Sequence, residues 1–366
     1  MKIILCIVDS VGEWLFQEYL KRYPDSFAHE MMNNGIYFSN NYSACCHSYP
    51  SYPSILMGCY PYEHGILGKF GFKLNKKIDT IHDFVIKNGY STHSYSEQSW
   101  MFNGQYGYDI KADNMRYFNP NLKYKDNSFV FVNFWNTHLP WQDWDKVESG
   151  IEYNRPHIVD MRKAYNENDL EKIEEIRENW IKRCLRNLDR NFQVLKKMHK
   201  NNPDAKIIFT ADHGDDYCFN GVPTHGSEIY DTIAKVPLLV YPYKKNEFTH
   251  VCSSTQIKVF VEGIIMTAAP LIIHPEKVYS TSEDIENLVH IIGIKYSTGD
   301  KYEFYLKSAY LPFKFFKFIY KNNNRELLQE TDITPGIHEI LTHQYPYLFD
   351  EKKWGQYVYR ARINKK

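Results

Sequence analysis

Several features are missing from this chain, and each absence narrows its role. Net charge is missing: 44 lysines and arginines balance 44 aspartates and glutamates over 366 residues. Nucleic acid and anionic membrane surfaces are therefore poor main partners. Long apolar runs are missing, and no stretch approaches the ~18 consecutive apolar residues of a membrane span. The first run, Lys2-Ile3-Ile4-Leu5-Cys6-Ile7-Val8, is too short for a signal-peptide core and stops at Asp9. The expectation is a soluble, cytoplasmic protein without a membrane span. Paired cysteine motifs are missing: the seven cysteines are odd in number and scattered, with no Cys-x-x-Cys. This excludes a disulfide framework and a zinc ribbon. Internal repeats and low-complexity linkers are missing too. The length implies one large domain plus a smaller one, with a core that needs no staple.

Short apolar runs alternate with helical patterns, as in an α/β sheet protein. Strands are expected at Ile3–Val8, Ile36–Ser39, Ser91–Tyr95, Ser128–Phe134, Lys206–Thr210 and Val236–Tyr241. The clearest helix runs from about Asp169 to Lys200. There Ile173, Ile176, Trp180, Cys184, Leu188, Phe192 and Leu195 recur at three- and four-residue steps. Another helix is expected from about Ser51 to Gly58. Past about residue 270 the pattern changes. Ile285 to Ile292 reads as a helix, and Tyr302 to Ile319 as strand-rich. The expected fold is a central mixed sheet with helices on both faces over 1–270, then a small C-terminal α+β subdomain over 271–366. Open α/β sheets place their sites at the carboxyl ends of strands. Asp9, Asn136 to His138, and Asp212 are therefore expected to converge.

The chemistry starts at Ser48. It opens the run Ser48-Tyr49-Pro50-Ser51-Tyr52-Pro53-Ser54-Ile55-Leu56-Met57-Gly58-Cys59-Tyr60-Pro61-Tyr62-Glu63-His64-Gly65, and Thr210-Ala211-Asp212-His213-Gly214 answers it downstream. Serine is a poor nucleophile at neutral pH and needs activation. No Gly-x-Ser-x-Gly elbow surrounds Ser48, which sets aside an α/β-hydrolase triad. A divalent metal is the other route to activation. Asp9, Asp212 and His213 are hard-to-borderline donors, suited to Zn²⁺ and tolerable for Mn²⁺ or Mg²⁺. A helix following Ser48 would aim backbone N–H groups at the serine and at an anion bound there. Each residue also has a bland role: a lone Asp after a strand is usually a cap, and Ser48 could be an N-cap. Their combination is what points to a nucleophile in a metal site.

These residues resemble the alkaline phosphatase superfamily in its sulfatase-like branch. Sulfatases carry Cys/Ser-x-Pro-Ser-Arg followed by Ser-Leu-Leu-Thr-Gly-x-Tyr-Pro-x-x-His-Gly. Ser48 through Gly65 follow that register, set by Gly58, Tyr60-Pro61 and His64-Gly65, whereas a second Ser-Tyr-Pro-Ser starting at Ser51 does not. Asn136-Thr137-His138-Leu139-Pro140-Trp141 resembles the family's His-x-Pro turn. His225-Gly226 through Asp231, then Val236-Pro237-Leu238-Leu239, resembles its later His-Gly and Val-Pro-Leu segment. Arg325-Glu326-Leu327-Leu328 with Asp332 echoes its terminal motif. The resemblance implies that Asp9, Asp212, His213 and Ser48 hold one divalent metal, zinc first, with Mn, Mg or Ca as alternatives. His138 and His225 would contact the transferred anion, the leaving group or a second metal.

The departures choose between branches. Sulfatases oxidise the motif Cys or Ser and need its Arg, where this chain has Tyr52. They open with two aspartates, where this chain has Asp9-Ser10. They keep a Lys-Trp-His segment where this chain reads Tyr95-Ser96-Glu97-Gln98. A two-zinc phosphodiesterase needs Asp-x-x-x-His after the nucleophile, yet that spacing occurs here at Asp25…His29, upstream of Ser48. The expected activity is metal-dependent hydrolysis or transfer of an anionic ester on a small molecule, glycan or lipid headgroup, with phosphate ahead of sulfate. The alternatives are a sulfatase with oxidised Ser48 and a catalytically silent binding protein. Specificity is expected from loops at Lys69–Asn75, Trp100–Asp113 and Trp141–His157.

Overall fold

The structure, a computed structural model, describes residues 1–68, 73–74, 77–138, 156–226, 228–284, 289–296, 301–307, 314–321 and 324–332. The first ten strands are β1 (Lys2–Val8), β2 (Ile36–Phe38), β3 (Asn41–Tyr42), β4 (Ser91–Ser96), β5 (Asp113–Asn114), β6 (Ser128–Phe134), β7 (Lys206–Ala211), β8 (Leu238–Tyr241), β9 (Asn246–Phe248) and β10 (Cys252–Ser253). Eight of them form one mixed sheet in the order β5-β4-β6-β1-β7-β8-β2-β9. Only β8 runs against its neighbours, β7 and β2. β3 and β10 pair separately as a short parallel ladder. The six strands expected from the sequence are all present, within two residues at each end.

The sheet is covered on both faces, which explains why β1 and β6 are continuous apolar runs rather than alternating ones. Alternate side chains still serve opposite cores. Ile4, Cys6, Val8, Val130 and Val132 face helices Glu13–Arg22, Phe27–Asn33 and Leu170–Asn201. Ile3, Leu5, Ile7, Phe129 and Phe131 face helices Ser48–Met57, Ile81–Lys87 and Ile257–Thr267. The long helix follows its sequence stripe: Ile173, Trp180, Cys184, Leu188, Phe192 and Leu195 are all buried. Full burial of one such side chain contributes about 1.5–3 kcal/mol. Asp169 caps its start by accepting the Lys172 N–H at 2.9 Å, and the chain leaves the helix at Asn202, before Pro203.

The C-terminal region departs from expectation. β11 (Lys277–Asp284), β12 (Val289–Tyr296), β13 (Lys301–Lys307), β14 (Lys314–Lys321) and β15 (Asn324–Asp332) form a five-stranded antiparallel meander. Val289 to Ile292, expected in a helix, pair with Lys307 to Phe304 in a strand. The run is short and β-branched, and cross-strand partners outweigh a weak helical period. The strand-rich reading of Tyr302 to Ile319 agrees with β13 and β14. Among the described residues no helix follows Thr267. β11 docks on the segment that leads into Ser48: Cys46 N–H donates to Thr281 O at 2.8 Å, Thr281 N–H to Ala44 O at 3.1 Å, and Ser280 Oγ to Ser43 O at 2.6 Å. This meander therefore buttresses the approach to the serine.

Candidate active site and metal centre

Sheet register brings the site residues to one edge. In the parallel ladders Val8 lies opposite both Phe134 and Ala211, and Ser96 opposite Asn133. Asp9, Trp135 to His138, Asp212 to His213, and Glu97 therefore all leave the same rim, where open α/β sheets bind their ligands. The turn after β1 is unusual. Ser10 adopts φ +59°, a left-handed conformation uncommon outside glycine. In that conformation its N–H donates to Asp212 Oδ1 at 3.1 Å and its hydroxyl to Asp9 Oδ1 at 2.7 Å. Ser10 thus locks the two carboxylates together. Gly214 is needed for close approach: a Cβ there would lie 2.3 Å from Thr232 O and 2.6 Å from Gly12 Cα.

Ser48 is the first residue of helix Ser48–Met57, three residues before the expected start, with His47 as the N-cap residue. Pro50 costs no hydrogen bond in the first turn, where N–H groups lack intrahelical partners. Gly58, at φ +69°, ends the helix. Ser48 Oγ lies 3.1 Å from Asp9 Oδ2 and 3.1 Å from His213 Nε2. Asp9, Asp212 and His213 are fully buried, and one ligand atom from each lies within 4.8 Å of the others. His213 Nδ1 is 3.0 Å from Gly214 O. That carbonyl can only accept, so Nδ1 carries the proton and the Nε2 lone pair faces Ser48 and Asp212 Oδ2, the latter 3.4 Å away.

The residues present fit a divalent cation. Asp212 Oδ2 is buried and accepts no hydrogen bond, a costly state for a carboxylate oxygen. Burial, and then the charge of Asp9, push the Asp212 carboxyl well above its ordinary range. Burial, followed by the neighbouring His225, holds His213 well below its own range and therefore neutral, as a ligand must be. Two carboxylate oxygens, an imidazole nitrogen and a hydroxyl make the oxygen- and nitrogen-rich donor set that zinc accepts.

The expected histidines stand beside this cluster. The His225 ring lies 4.1 Å from that of His213 and 5.3 Å from that of His138, which stacks on Trp135 at 4.7 Å. His225 Nδ1 is 2.6 Å from Asp215 Oδ1. Burial opposes charge on this ring, yet the carboxylate outweighs it and raises His225 above its ordinary value. Glu97 accepts the Trp135 N–H at 2.6 Å, at the root of the segment carrying His138. Burial raises its carboxyl to about 8 against the pull of the Trp135 and Asn136 N–H groups.

Other sequence candidates take supporting positions. Ser51 Oγ donates to the Asp212 carbonyl at 2.6 Å. His64 is buried; its Nδ1 accepts the Ile66 N–H at 3.1 Å, so Nε2–H donates to Ser54 Oγ at 2.9 Å. Burial lowers its pKa to about 3, consistent with a neutral ring that fixes backbone. His29 of the upstream Asp-x-x-x-His pair contacts Leu20 O at 2.9 Å, between helices Phe27–Asn33 and Glu13–Arg22. Cys45 and Cys46 are buried beside the serine turn. Two participants carry no clear mark in the sequence as contributors to the site: Ser10 and Asn133, whose amide reaches the Tyr52 hydroxyl beside Asp9 at 2.7 Å. Only the Asp9-Ser10 departure hints at the first. Leu139 to Trp141, nearly all of the loop at 141–157 and most of that at 69–75 lie outside the described residues.

Comparison with known proteins identifies the family and the fold. The Sulfatase family model matches residues 2–256. No curated protein matches the sequence. Among solved structures, a 2-O GAG sulfatase aligns over 99% of this chain and 92% of its own, with 14% identity and a TM-score of 0.65. The phosphonate monoester hydrolase of Agrobacterium radiobacter aligns over 99% and 95%, with 11% identity and a TM-score of 0.57. A phosphonate monoester hydrolase from Silicibacter pomeroyi aligns over 100% and 96%, with 12% identity and a TM-score of 0.59. At these identities the structural likeness establishes a shared fold. Among the described residues no helix is long and apolar enough to cross a membrane.

Proposed function

The chain belongs to the sulfatase family, in the sulfatase-like branch of the alkaline phosphatase superfamily, and is a hydrolase of anionic esters; from that premise we propose that it cleaves phosphoric mono- or diesters through unmodified Ser48. The observation that carries this reading is the place of the Ser48 hydroxyl. It sits 3.1 Å from both a carboxylate oxygen of Asp9 and the Nε2 of His213, inside the candidate cation site. Asp9, Asp212, His213 and Ser48 would hold one divalent metal, zinc by preference. When bound, such an ion lowers the pKa of a hydroxyl and neutralises developing negative charge.

The residues then divide the work. Ser48 Oγ attacks phosphorus and forms the Oγ–P bond as the bond to the leaving oxygen breaks. The Ser48 proton leaves along the hydrogen bond to Asp9. His225 Nε2 gives a proton to the leaving oxygen, with Asp215 holding the other ring nitrogen. Water then gives a proton to His225 and adds to phosphorus as the Oγ–P bond breaks, and Ser48 Oγ recovers its own proton from Asp9 along the same hydrogen bond; an acceptor alcohol in place of water gives transfer. His138 would bind the transferred anion. Residues 1–270 would carry the site, with 271–366 as a subdomain beside it.

Two departures favour phosphate. Tyr52 stands where the sulfatase motif has arginine, and Glu97 lies in the segment where sulfatases keep lysine. The formylglycine route needs that arginine. The family and the sulfatase neighbours favour the second reading, a sulfatase with oxidised Ser48. Intact mass of the peptide around residue 48, with turnover of nitrophenyl phosphate mono- and diesters and nitrophenyl sulfate, decides between them. An unmodified serine and phosphoester turnover support the proposal; an aldehyde at 48 with sulfate turnover overturns it. Metal-loaded protein idle on the whole panel would favour a silent binding protein.

A further inference from the structure

Tyr52, the residue that breaks the sulfatase motif, is fully buried. Its hydroxyl lies 3.0 Å from Asp9 Oδ2 and 2.7 Å from Asn133 Nδ2. A phenol has one proton, and an amide NH₂ only donates. The phenol oxygen therefore accepts from Asn133, and its proton is left for Asp9. The orientation of the amide is itself decided. Asn133 Nδ2 also lies 3.3 Å from Ile7 O, which only accepts, and Oδ1 lies 2.7 Å from Ser96 Oγ. Ser96 Oγ in turn accepts the Gln98 N–H at 2.9 Å, so the Ser96 proton is directed at Asn133.

Hydrogen bonds thus run in one direction from Gln98 N–H through Ser96, Asn133 and Tyr52 to Asp9 Oδ2. The relay begins just past β4, crosses β6 and the nucleophile helix, and ends at the tip of β1. The side chains that form it, Ser96, Asn133, Tyr52 and Asp9, are all fully buried. At its far end it meets a carboxylate whose other oxygen is held by Ser10 Oγ at 2.7 Å. Both oxygens of Asp9 are therefore oriented by neutral donors, with lone pairs left over for a cation.

We infer that Tyr52 is a positioning residue, kept as a hydrogen-bond donor by the Ser96–Asn133 relay so that Asp9 is presented as a metal ligand without a neighbouring cation. The inference rests on the metal reading of Asp9 proposed above. The phenol meets the carboxylate as a neutral hydrogen-bond donor and adds no charge of its own to the cluster. Groups that orient a metal's ligands typically set affinity by ~10–100-fold.

The test is zinc affinity of metal-stripped protein, read by competition with a chromogenic chelator. Tyr52→Phe should bind zinc about 10–100-fold more weakly than wild type. Ser96→Ala, three bonds away, should shift affinity the same way by less. Tyr19→Phe removes another buried hydroxyl, one that donates to Asp189 at 2.9 Å, and should leave affinity unchanged. Turnover lost in Tyr52→Phe should return at saturating zinc, which a misfolded variant would not allow. Thermal unfolding of each stripped variant checks folding; if Tyr52→Phe does not fold, Ser96→Ala carries the decision. Wild-type affinity in the folded relay variants overturns the relay. Failure of wild type to bind zinc at all would instead sink the metal reading of Asp9, and the two results are distinct.

Discussion

Asp9 and Glu13 lie four residues apart, one at the end of β1 and the other in the first turn of the helix Glu13–Arg22. Both are buried. Asp9 meets Asp212, the neutral ring of His213 and the Ser48 hydroxyl, and one ligand atom from each of Asp9, Asp212 and His213 lies within 4.8 Å of the others. Glu13 hydrogen-bonds only to neutral groups: Oε1 accepts from Gln17 Nε2 at 2.7 Å and from the Tyr37 hydroxyl, while Oε2 has no hydrogen-bond partner. Burial raises the Glu13 carboxyl to about 7, and the charges of Lys235 and Glu247 act on it in opposite senses. Burial alone drives a carboxyl to take up a proton. A second carboxylate and an imidazole lone pair converging on the same point make a cation the better neutraliser. The lesson is that buried acids do not mark a metal site; convergent donors do.

That contrast can be broken in several ways. The largest effect belongs to the site itself. Ser48→Ala should lower kcat by about 10⁴ or more, about 5 kcal/mol of barrier. Asp212→Asn should abolish both turnover and zinc binding, whereas Glu13→Gln should abolish neither. Steady-state rates and metal content of the purified variants check this pairing.

The next effect concerns Glu13 and pH. Its folded pKa, about 7, exceeds the ordinary value of 4.5. Below pH 4.5 both folded and unfolded chains hold the proton, and stability is unaffected. Between pH 4.5 and 7 the unfolded chain ionises first, so this group's contribution falls as pH rises. Above pH 7 the loss is complete, about 3 kcal/mol at 1.36 kcal/mol per unit. Glu13→Gln should therefore raise stability by about that much at pH 8 and by little at pH 4.5. Urea midpoints at the two pH values read it; an equal gain at both would show that Glu13 does not titrate as described.

Metal linkage comes third. At a free zinc concentration one hundred times Kd, wild type should gain about 2.7 kcal/mol over chelated protein. Asp212→Asn should gain nothing, and Glu13→Gln should keep the full increment. Calorimetry with and without chelator distinguishes these cases. The smallest effect is steric. Gly214→Ala would press a methyl group onto Thr232 O and Gly12 Cα, and overpacking of this kind costs about 1–3 kcal/mol. Because Gly214 follows His213 directly, zinc affinity should fall as well, whereas Gly221→Ala, in the loop beyond, should leave it untouched.

Much of the site is legible in the chain alone. Asp9, Ser48, Asp212 and His213 are each marked by a strand end or a motif, and parallel strands in register bring such ends together as a matter of geometry. The long helix is legible because its stripe repeats over about thirty residues. Ser10 is not legible as a clamp, since a serine after an aspartate carries no sign of a left-handed φ. Asn133 is hidden because it lies within a strand, and the value of its amide depends on Tyr52 and Ser96, 81 and 37 residues away. The segment Val289 to Ile292 reads as helix yet forms a strand because its partners lie on another strand, and a local window contains no information about them.

By itself the sequence determined the kinds of chemistry available here: which donors exist, that they end strands, and that a hydroxyl accompanies them. Those properties belong to residues and to short-range periodicity. Only the tertiary structure decided how they combine: that Asp9 is oriented by a neutral phenol, that Asp212 keeps an open oxygen, and that Glu13 is left with neutral hydrogen-bond partners. Distances of about 3 Å between residues scores of positions apart are set by sheet register and by the packing of two cores. Both are cooperative outcomes of the whole chain, and no local stretch encodes them.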